Sequence, residues 1–175
     1  VFNGDTNYVE NLAPNLGISG DTSVTLSCWF YNSVNSSDNQ ALLVYGNGST
    51  GGDSISILLR NLSFYASFNG GLDAVIADNV YALNTWNNVV VTKTPGAINT
   101  TTKLYLNGVE QTITSASSST PSLSSRVVRV ARWTADASPF YLQGGVSAAL
   151  IYNRALSAAE VSQNYNSLKN RSVTA

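Results

Sequence analysis

The chain has 175 residues, of which 43% are hydrophobic and only 11% are charged, and its formal net charge is −1. This length suits one domain with a substantial core, and the lack of a basic excess argues against electrostatic capture of nucleic acid or of an anionic membrane. The sequence contains no histidine, which removes the commonest general base and transition-metal ligand. Cys28 is the only cysteine, so an intrachain disulfide is excluded, and we predict that its thiol is buried and inert.

Alternating apolar and polar residues predict β-strands along most of the chain. The segment 22–31, TSVTLSCWFY, places its apolar residues on one face and Trp29 on the other. Further strands are predicted at 41–45, 55–60, 62–68, 74–77, 86–93, 103–113, 126–133 and 144–152. The Ser/Thr-rich stretch 114–125 is predicted to be a loop.

The connections between these strands indicate the fold class. Asn107–Gly108 is the strongest hairpin signal, because a type I′ turn needs a positive φ at both central residues. Many short strands, turn signals between them and no regular alternation with helices predict an all-β protein. Its expected architecture is an antiparallel two-sheet sandwich or jelly roll.

One helix is predicted near the end of the chain, at 157–168. Ser157 and Glu160 fit the S-x-x-E capping box, and Leu156 and Val161 occupy the two positions of a hydrophobic staple. An apolar stripe at helical spacing begins at Val161, and polar residues occupy the opposite side. We therefore expect a short surface helix with one side packed against the sheets.

Three segments resemble the laminin G-like branch of the concanavalin A-like lectin/glucanase jelly rolls, of the kind found in bacterial and phage surface proteins. They are FNGDTNYVE at 2–10 with the strand that follows it, WNNVVVTK…KLYLNG at 86–108, and GGVSAALIYNRALSAAEV at 144–161. The resemblance implies an antiparallel jelly roll over residues 1–169 that ends in one short helix. Residues 170–175 are then expected to be a tail.

The resemblance also bears on metal binding. Asn3, Ser147 and Ala148 stand where the family has acidic residues that often contribute to calcium sites. Since Ca²⁺ prefers several oxygen ligands that include carboxylates, the resemblance implies a weakened calcium site here. Asp5, with neighbouring carbonyl groups, is the one weak candidate for a metal ligand. No other cofactor is predicted.

A glycoside hydrolase of the related glucanase branch would need two carboxylates on either side of one glycosidic bond. Enzymes of that branch present these carboxylates on one face of a strand, in the motif E-x-D-x-x-E. The ten acidic residues of this chain are scattered instead, and no two of them lie within four positions of each other. We predict no catalytic residues and no enzymatic activity, with glycoside hydrolase as a remote alternative.

Aromatic and basic residues within the predicted strands are expected to have structural roles. Trp29 and Trp86 lie inside alternating strands, where packing in the core is the expected role. Arg126 and Arg132 are predicted to point to one side of their strand and Arg129 to the other. A basic stripe for nucleic acid is therefore not expected.

Loop aromatics supply the candidate ligand site. Trp133 ends a strand, and Asp136, Phe140 and Tyr141 follow within the loop TADASPFY. An aromatic ring on a loop is a common platform for a sugar ring. We take these four residues as the predicted ligand-binding set, and packing between loops is the alternative role of the rings.

The sequence therefore predicts a non-catalytic module that works outside a cell, at a cell surface or on a virion, as a decoration, fibre or adhesion domain. One hypothesis is weak, multivalent binding of a glycan or surface polysaccharide. The other is a purely structural domain that contacts virion or cell-surface proteins through its near-neutral, Ser/Thr/Asn-rich surface. No nucleic-acid partner and no membrane insertion are predicted, and a homo-oligomer is one of the open alternatives for the assembly.

Overall fold

The computed structural model describes residues 1–12, 14–46, 54–68, 73–78, 80–123, 127–133 and 140–170. Within them the chain forms two antiparallel β-sheets and two helices. The strands are β1 (Phe2–Asn3), β2 (Val9–Asn11), β3 (Val24–Asn32), β4 (Gln40–Tyr45), β5 (Ile55–Arg60), β6 (Ser63–Phe68), β7 (Asp73–Ala77), β8 (Trp86–Lys93), β9 (Thr102–Leu106), β10 (Val109–Glu110), β11 (Ser115–Ala116), β12 (Val128–Val130) and β13 (Gln143–Tyr152). The helices are α1 (Ile98–Thr101) and α2 (Ala158–Leu168). The predicted all-β jelly-roll sandwich with a C-terminal helix is confirmed.

The strand order explains how distant parts of the chain meet. One sheet has six described strands in the order β1-β13-β3-β8-β9-β10, and the other has seven in the order β11-β7-β6-β5-β4-β12-β2. Strands β4 to β7 form a simple meander, whereas β12 and β13 return late in the chain to pair with β4 and β3. Such returning strands are typical of Greek-key and jelly-roll topologies.

The core lies between the sheets and is built from one face of each central strand. Leu26, Cys28 and Phe30 of β3 are fully buried and face the apolar residues of the seven-stranded sheet. This arrangement confirms the face that the alternation of residues 22–31 predicts. Burial also raises the pKa of the Cys28 thiol, which therefore stays protonated.

The predicted hairpin at Asn107–Gly108 is present between β9 and β10. The two residues have φ angles of 51° and 81°, as a type I′ turn requires, and Val109 pairs with Leu106. A Cβ atom at Gly108 would lie 3.1 Å from Cδ1 of Tyr165. The turn therefore needs glycine for its conformation and for close contact with α2.

Helix α2 begins as the sequence predicts. The backbone N–H of Glu160 donates to Oγ of Ser157, and the backbone N–H of Ser157 donates to the Glu160 carboxylate at 2.8 Å. These two bonds satisfy donors that a helix leaves unpaired at its first turn. Leu156 and Val161, the staple residues, are buried together.

The helix packs on the outer face of the six-stranded sheet. Leu156 and Val161 contact Val90 and Tyr105, and the Tyr165 ring stacks on Trp29 with centroids 5.4 Å apart and planes 5° from parallel. Trp29 is 3% exposed, so its predicted burial is confirmed, and it lies between the sheet and α2 rather than between the two sheets. Neither α1 nor α2 has the length and apolar content needed to span a membrane.

Glu160→Gln is expected to destabilise the domain in a pH-dependent way. Hydrogen bonds from Arg154 and Ser157 lower the pKa of Glu160 from 4.5 to about 2. A lowered pKa means that this carboxylate stabilises the fold above pH 4.5 and loses its effect as pH falls through about 2. Urea unfolding should show a gap between wild type and variant near neutral pH that closes over this interval. A difference in the free energy of unfolding that stays constant with pH would mean that the charge of Glu160 does not contribute to stability.

Two strand predictions need correction. The stretch 114–125, predicted as a loop, contains the short strand β11, which pairs with β7 although its serines and alanines show no alternation. The strand predicted at 126–133 is regular only over Val128–Val130 among the described residues, because Ala131 adopts a φ of 66°. This left-handed residue interrupts the extended backbone and changes the direction of the side chains after it.

The arginines of this segment have separate environments. Arg129 is 2% exposed and its Nε contacts the Glu10 carboxylate across the β12–β2 pair. The guanidinium of Arg132 lies over the Tyr8 ring, 4.5 Å from its centroid. Arg126 lies outside the described residues. No basic stripe forms from the two arginines that are described.

Candidate functional site

The loop aromatics lie at the end of the sandwich where β12 leads into β13. The backbone N–H of Leu142 donates to the carbonyl of Ala131, and the N–H of Trp133 donates to the carbonyl of Phe140. These bonds hold the two chain segments antiparallel. The Trp133 and Phe140 rings consequently stack, with centroids 4.8 Å apart and planes 9° from parallel. Trp133 and Phe140 are close in sequence, and in the structure their rings are in contact.

Trp133 is half-buried. Besides Phe140, it packs on Ala41, Val44 and Leu58, which form a small apolar patch on the outer face of the seven-stranded sheet. These contacts are of the kind expected under the alternative role of the rings, which is packing between loops. A ligand role for Trp133 stays a prediction, as it does for Asp136, which lies outside the described residues.

Phe140 and Tyr141 line a cavity of about 300 Å³, which we call the rim cavity. Its other walls come mainly from the loop between β3 and β4 and carry several polar side chains. The lining residues are Gly4, Val34, Ser36, Asp38, Asn39, Gln40, Phe140, Tyr141 and Gln143. Two of the four predicted ligand residues are thus brought to one cavity, together with polar groups that the sequence reading did not single out.

Hydrogen bonds hold the polar wall of the rim cavity in place. Oε1 of Gln40 accepts from the backbone N–H of Gln143 at 2.9 Å and so links the two sheets at this end. The hydroxyl of Tyr65 donates to Oδ1 of Asn39, and burial raises the pKa of Tyr65 to about 12, which keeps the hydroxyl a donor. The backbone N–H of Asp38 donates to a side chain of its own loop, Oγ of Ser36.

A second aromatic layer supports Tyr141. The Tyr8 and Tyr141 centroids are 6.3 Å apart, and the Arg132 guanidinium lies 4.5 Å from the first and 5.7 Å from the second. Cation–π attraction of this kind contributes about 0.5–1 kcal/mol at an exposed site. It holds the Tyr141 ring at the edge of the cavity.

A second cavity of about 850 Å³ lies on the six-stranded sheet beside Tyr31 and Trp86; we call it the sheet groove. Tyr31 of β3 and Trp86 of β8 stand side by side there, with centroids 5.9 Å apart. Trp86 is half-buried and outside the core, so the core role predicted for it is wrong. The lining residues are Val1, Phe2, Asn3, Tyr31, Ser33, Trp86, Gln143, Gly144, Gly145, Val146 and Ser147.

Sequence reasoning missed the sheet groove although a signal was present. The alternation of β3 puts Tyr31 on the same face as Trp29, opposite to the core residues. Trp86 shares that face because it pairs directly with Tyr31. Finding the groove required the β3–β8 register and the extent of α2, and neither follows from local sequence.

Acidic side chains do not cluster in the described part of the chain. No group of three or more Asp, Glu, Cys or His side chains comes together among those residues. Asp5 is exposed, and its backbone N–H donates to Oδ1 of Asn3, which also accepts from the N–H groups of Thr6 and Asn7. The side-chain oxygen of Asn3 is thus already engaged, and calcium binding at Asp5 stays a prediction.

Comparison with known families agrees with the topology. A family model for laminin G-like domains, described as part of the concanavalin A-like lectin/glucanases superfamily, matches residues 3–162. The chain belongs to the concanavalin A-like lectin/glucanase superfamily. No curated protein matches this concanavalin A-like domain in sequence.

Solved structures share the fold of this concanavalin A-like domain at low sequence identity. The NanB sialidase of Streptococcus pneumoniae aligns with a TM-score of 0.70 and 18% identity, over 93% of this chain and 27% of that one. The CBM40 of Ruminococcus gnavus IT-sialidase, bound to α2,3 sialyllactose, gives 0.65 and 16%, over 83% and 84%. A botulinum neurotoxin type C structure, whose cell entry depends on two ganglioside molecules, gives 0.57 and 16%, over 86% and 36%. The chain spans about a quarter of the length of the sialidases that it resembles.

Proposed function

We propose that this domain is a non-catalytic module that binds carbohydrate weakly at the rim cavity. The observation that carries the proposal is the pairing of the Phe140 and Tyr141 rings with polar side chains whose positions are fixed by hydrogen bonds. A sugar ring offers an apolar C–H face to an aromatic ring and hydroxyl groups to amides and carboxylates. A cavity of about 300 Å³ is at the small end of the range for ligand sites. A single site should therefore bind weakly and gain strength from multivalency.

The similar structures support a carbohydrate as the class of ligand. One of them is a carbohydrate-binding module in complex with sialyllactose, and another depends on gangliosides for cell entry. Their identities of 16% establish a shared fold alone. The proposal for this chain therefore depends on the residues of its own rim cavity.

The absence of catalysis is part of the proposal and is supported by the bonds that the acids make. Five acids are engaged within the fold: Asp21 with Lys93, Glu10 with Arg129, Glu110 with Lys103, Glu160 with Arg154, and Asp78 with Ser63 and Thr114. A glycosidase acid or nucleophile must instead face the substrate. Of the described residues that line the rim cavity and the sheet groove, Asp38 is the only acid.

We further propose that the domain acts outside a cell, at a cell surface or on a virion, as a decoration, fibre or adhesion module. Its charged content of 11% and its surface of Ser, Thr and Asn support a site of action away from nucleic acid. A weak glycan site is useful in such places because many copies are displayed together.

Phe140→Ala is expected to lower binding to glycans by roughly fivefold to tenfold, because one ring contact contributes about 1 kcal/mol. The domain would be displayed on a tetrameric carrier and applied to an array of neutral, sialylated and sulfated glycans. Asp38→Ala should also weaken binding, and it alters an exposed side chain that does not support the fold. Glycan recovered from the complex should be chemically unchanged.

The control for this experiment is Val109→Ala, which removes an exposed apolar side chain that lines neither cavity. Its binding should equal that of the wild type, and thermal unfolding should confirm that all variants are folded. A wild-type domain that binds no glycan even when multimerised would overturn the proposal. So would full binding by both Phe140→Ala and Asp38→Ala.

A further inference from the structure

The sheet groove is bordered by two half-buried aromatic rings, Tyr31 and Trp86, and the Tyr31 hydroxyl donates to Oδ1 of Asn84 at 3.4 Å. Further along the same sheet face, α2 covers Trp29 by stacking Tyr165 on it. At Tyr31 and Trp86 no described helix or strand lies above the sheet, and the space there measures about 850 Å³. Half-buried aromatic rings beside such a space form a platform rather than part of a core.

Gly145 keeps the floor of this platform open. It pairs with Tyr31 across the β13–β3 ladder, and a Cβ atom at this position would lie 3.2 Å from Cη2 of Trp86. Any side chain here would occupy the space beside both rings. The absence of a side chain therefore leaves the ring surfaces accessible from the groove.

The sheet groove and the rim cavity adjoin. Gln143 lines both of them, and the consecutive residues Asn3 and Gly4 line one each. A ligand that fills the rim cavity is therefore within one residue of the groove. The combined space suits a chain of several sugars and exceeds the needs of one.

The lining residues also define the charge of a suitable ligand. Among the described residues, the sheet groove is lined by no Asp, Glu, Lys or Arg side chain, and the rim cavity is lined by one such side chain, Asp38. A carboxylate or sulfate on the ligand would find no counter-charge among these described side chains and would be repelled by Asp38. Arg132 is near Tyr141 but lines neither cavity.

We infer that the rim cavity and the sheet groove form one extended site for a long, neutral oligosaccharide. This inference rests on the proposed carbohydrate binding and names its class of ligand. One sugar occupies the rim cavity beside Phe140, the chain passes Gln143, and a later sugar stacks on Trp86 and Tyr31. The length and neutrality of this ligand distinguish it from the sialyllactose bound by the similar CBM40.

The test compares glycans of different length on the same array. It uses neutral oligosaccharides from disaccharides to hexasaccharides, together with versions that carry a terminal sialic acid. Trp86→Ala should lower the affinity for long neutral oligosaccharides by roughly fivefold to tenfold. The affinity for disaccharides should stay unchanged, because only a long chain reaches the groove. Phe140→Ala should lower binding to both.

Matched variants separate the role of the ring from an effect on folding. Trp86→Phe keeps an aromatic platform and should retain most of the long-chain binding. Gly145→Ala narrows the groove without removing a ring. It should weaken the binding of long oligosaccharides and leave the binding of disaccharides unchanged. Val109→Ala should leave every affinity unchanged.

The outcomes distinguish this inference from the function on which it rests. If Trp86→Ala and Gly145→Ala leave long-chain binding unchanged while Phe140→Ala lowers it, the extended site is refuted and the rim site stands. Tighter binding of sialylated than of neutral chains would refute the neutral ligand class. Absence of all glycan binding by the wild type would overturn both and favour a protein partner.

Discussion

Asp21→Asn is expected to destabilise the domain by about 3 kcal/mol, because it leaves a buried lysine without a counter-charge. Lys93 ends β8 with its side chain 1% exposed, and its Nζ donates to Oδ1 of Asp21 at 2.6 Å. Oδ2 of Asp21 accepts from the backbone N–H of Gly96, so the same carboxylate also holds the following turn. Burial raises the pKa of Asp21, but the bonds from Lys93 and Gly96 outweigh it and lower the pKa overall.

The expected loss is placed at the lower end of the range for buried pairs because Asp21 itself is 32% exposed and partly screened by water. Free energies of unfolding in urea would measure it. Glu110→Gln is the matched control, since its pair with Lys103 is about half exposed on both sides and should contribute little to the free energy of unfolding. Replacing Lys93 by Met together with Asp21→Asn should recover much of the loss. Equal stability of Asp21→Asn and wild type would show that Lys93 reaches water in the variant.

Local signals in the sequence predicted the elements that depend on neighbouring residues. The capping box of Ser157 and Glu160 and the turn at Asn107–Gly108 are both present, because each is specified within four residues. The pattern of strands and turns also predicted a two-sheet sandwich, but it did not identify which strands pair. Pairing between β3 and β13 joins residues more than a hundred positions apart, and alternation alone does not identify such a partner.

The sequence was least informative about which sheet face is covered. Trp29 and Trp86 occur in similar alternating strands and lie on the same outer face, yet α2 covers only the first. The prediction that both tryptophans are buried by protein is therefore confirmed for Trp29 and wrong for Trp86. The rim cavity shows the same limit: Phe140 and Tyr141 were selected as loop aromatics, whereas Asp38 and Asn39 come from a distant loop. Their ligand role stays a prediction.

Gly144→Ala is expected to cost about 3 kcal/mol or more and to prevent folding if the strands cannot separate. A Cβ atom at Gly144 would lie 2.0 Å from the backbone oxygen of Tyr31, far inside van der Waals contact. That oxygen belongs to β3, the central partner of β13, so relief requires a shift of paired backbone rather than of a side chain. Thermal and urea unfolding of purified protein, or recovery of soluble protein after expression, would measure the effect.

The adjacent residue supplies the control for this prediction. At Gly145 the nearest atom to an added Cβ is Cη2 of Trp86 at 3.2 Å, the far end of a ring that borders open space. Gly145→Ala should therefore change stability by less than about 1 kcal/mol, because the indole can move into the groove. The two neighbouring glycines would then differ in purpose, since Gly144 permits the strands to pair and Gly145 leaves room beside Tyr31 and Trp86. Similar losses at both positions would contradict this division and would mean that the Trp86 ring is held as firmly as the backbone.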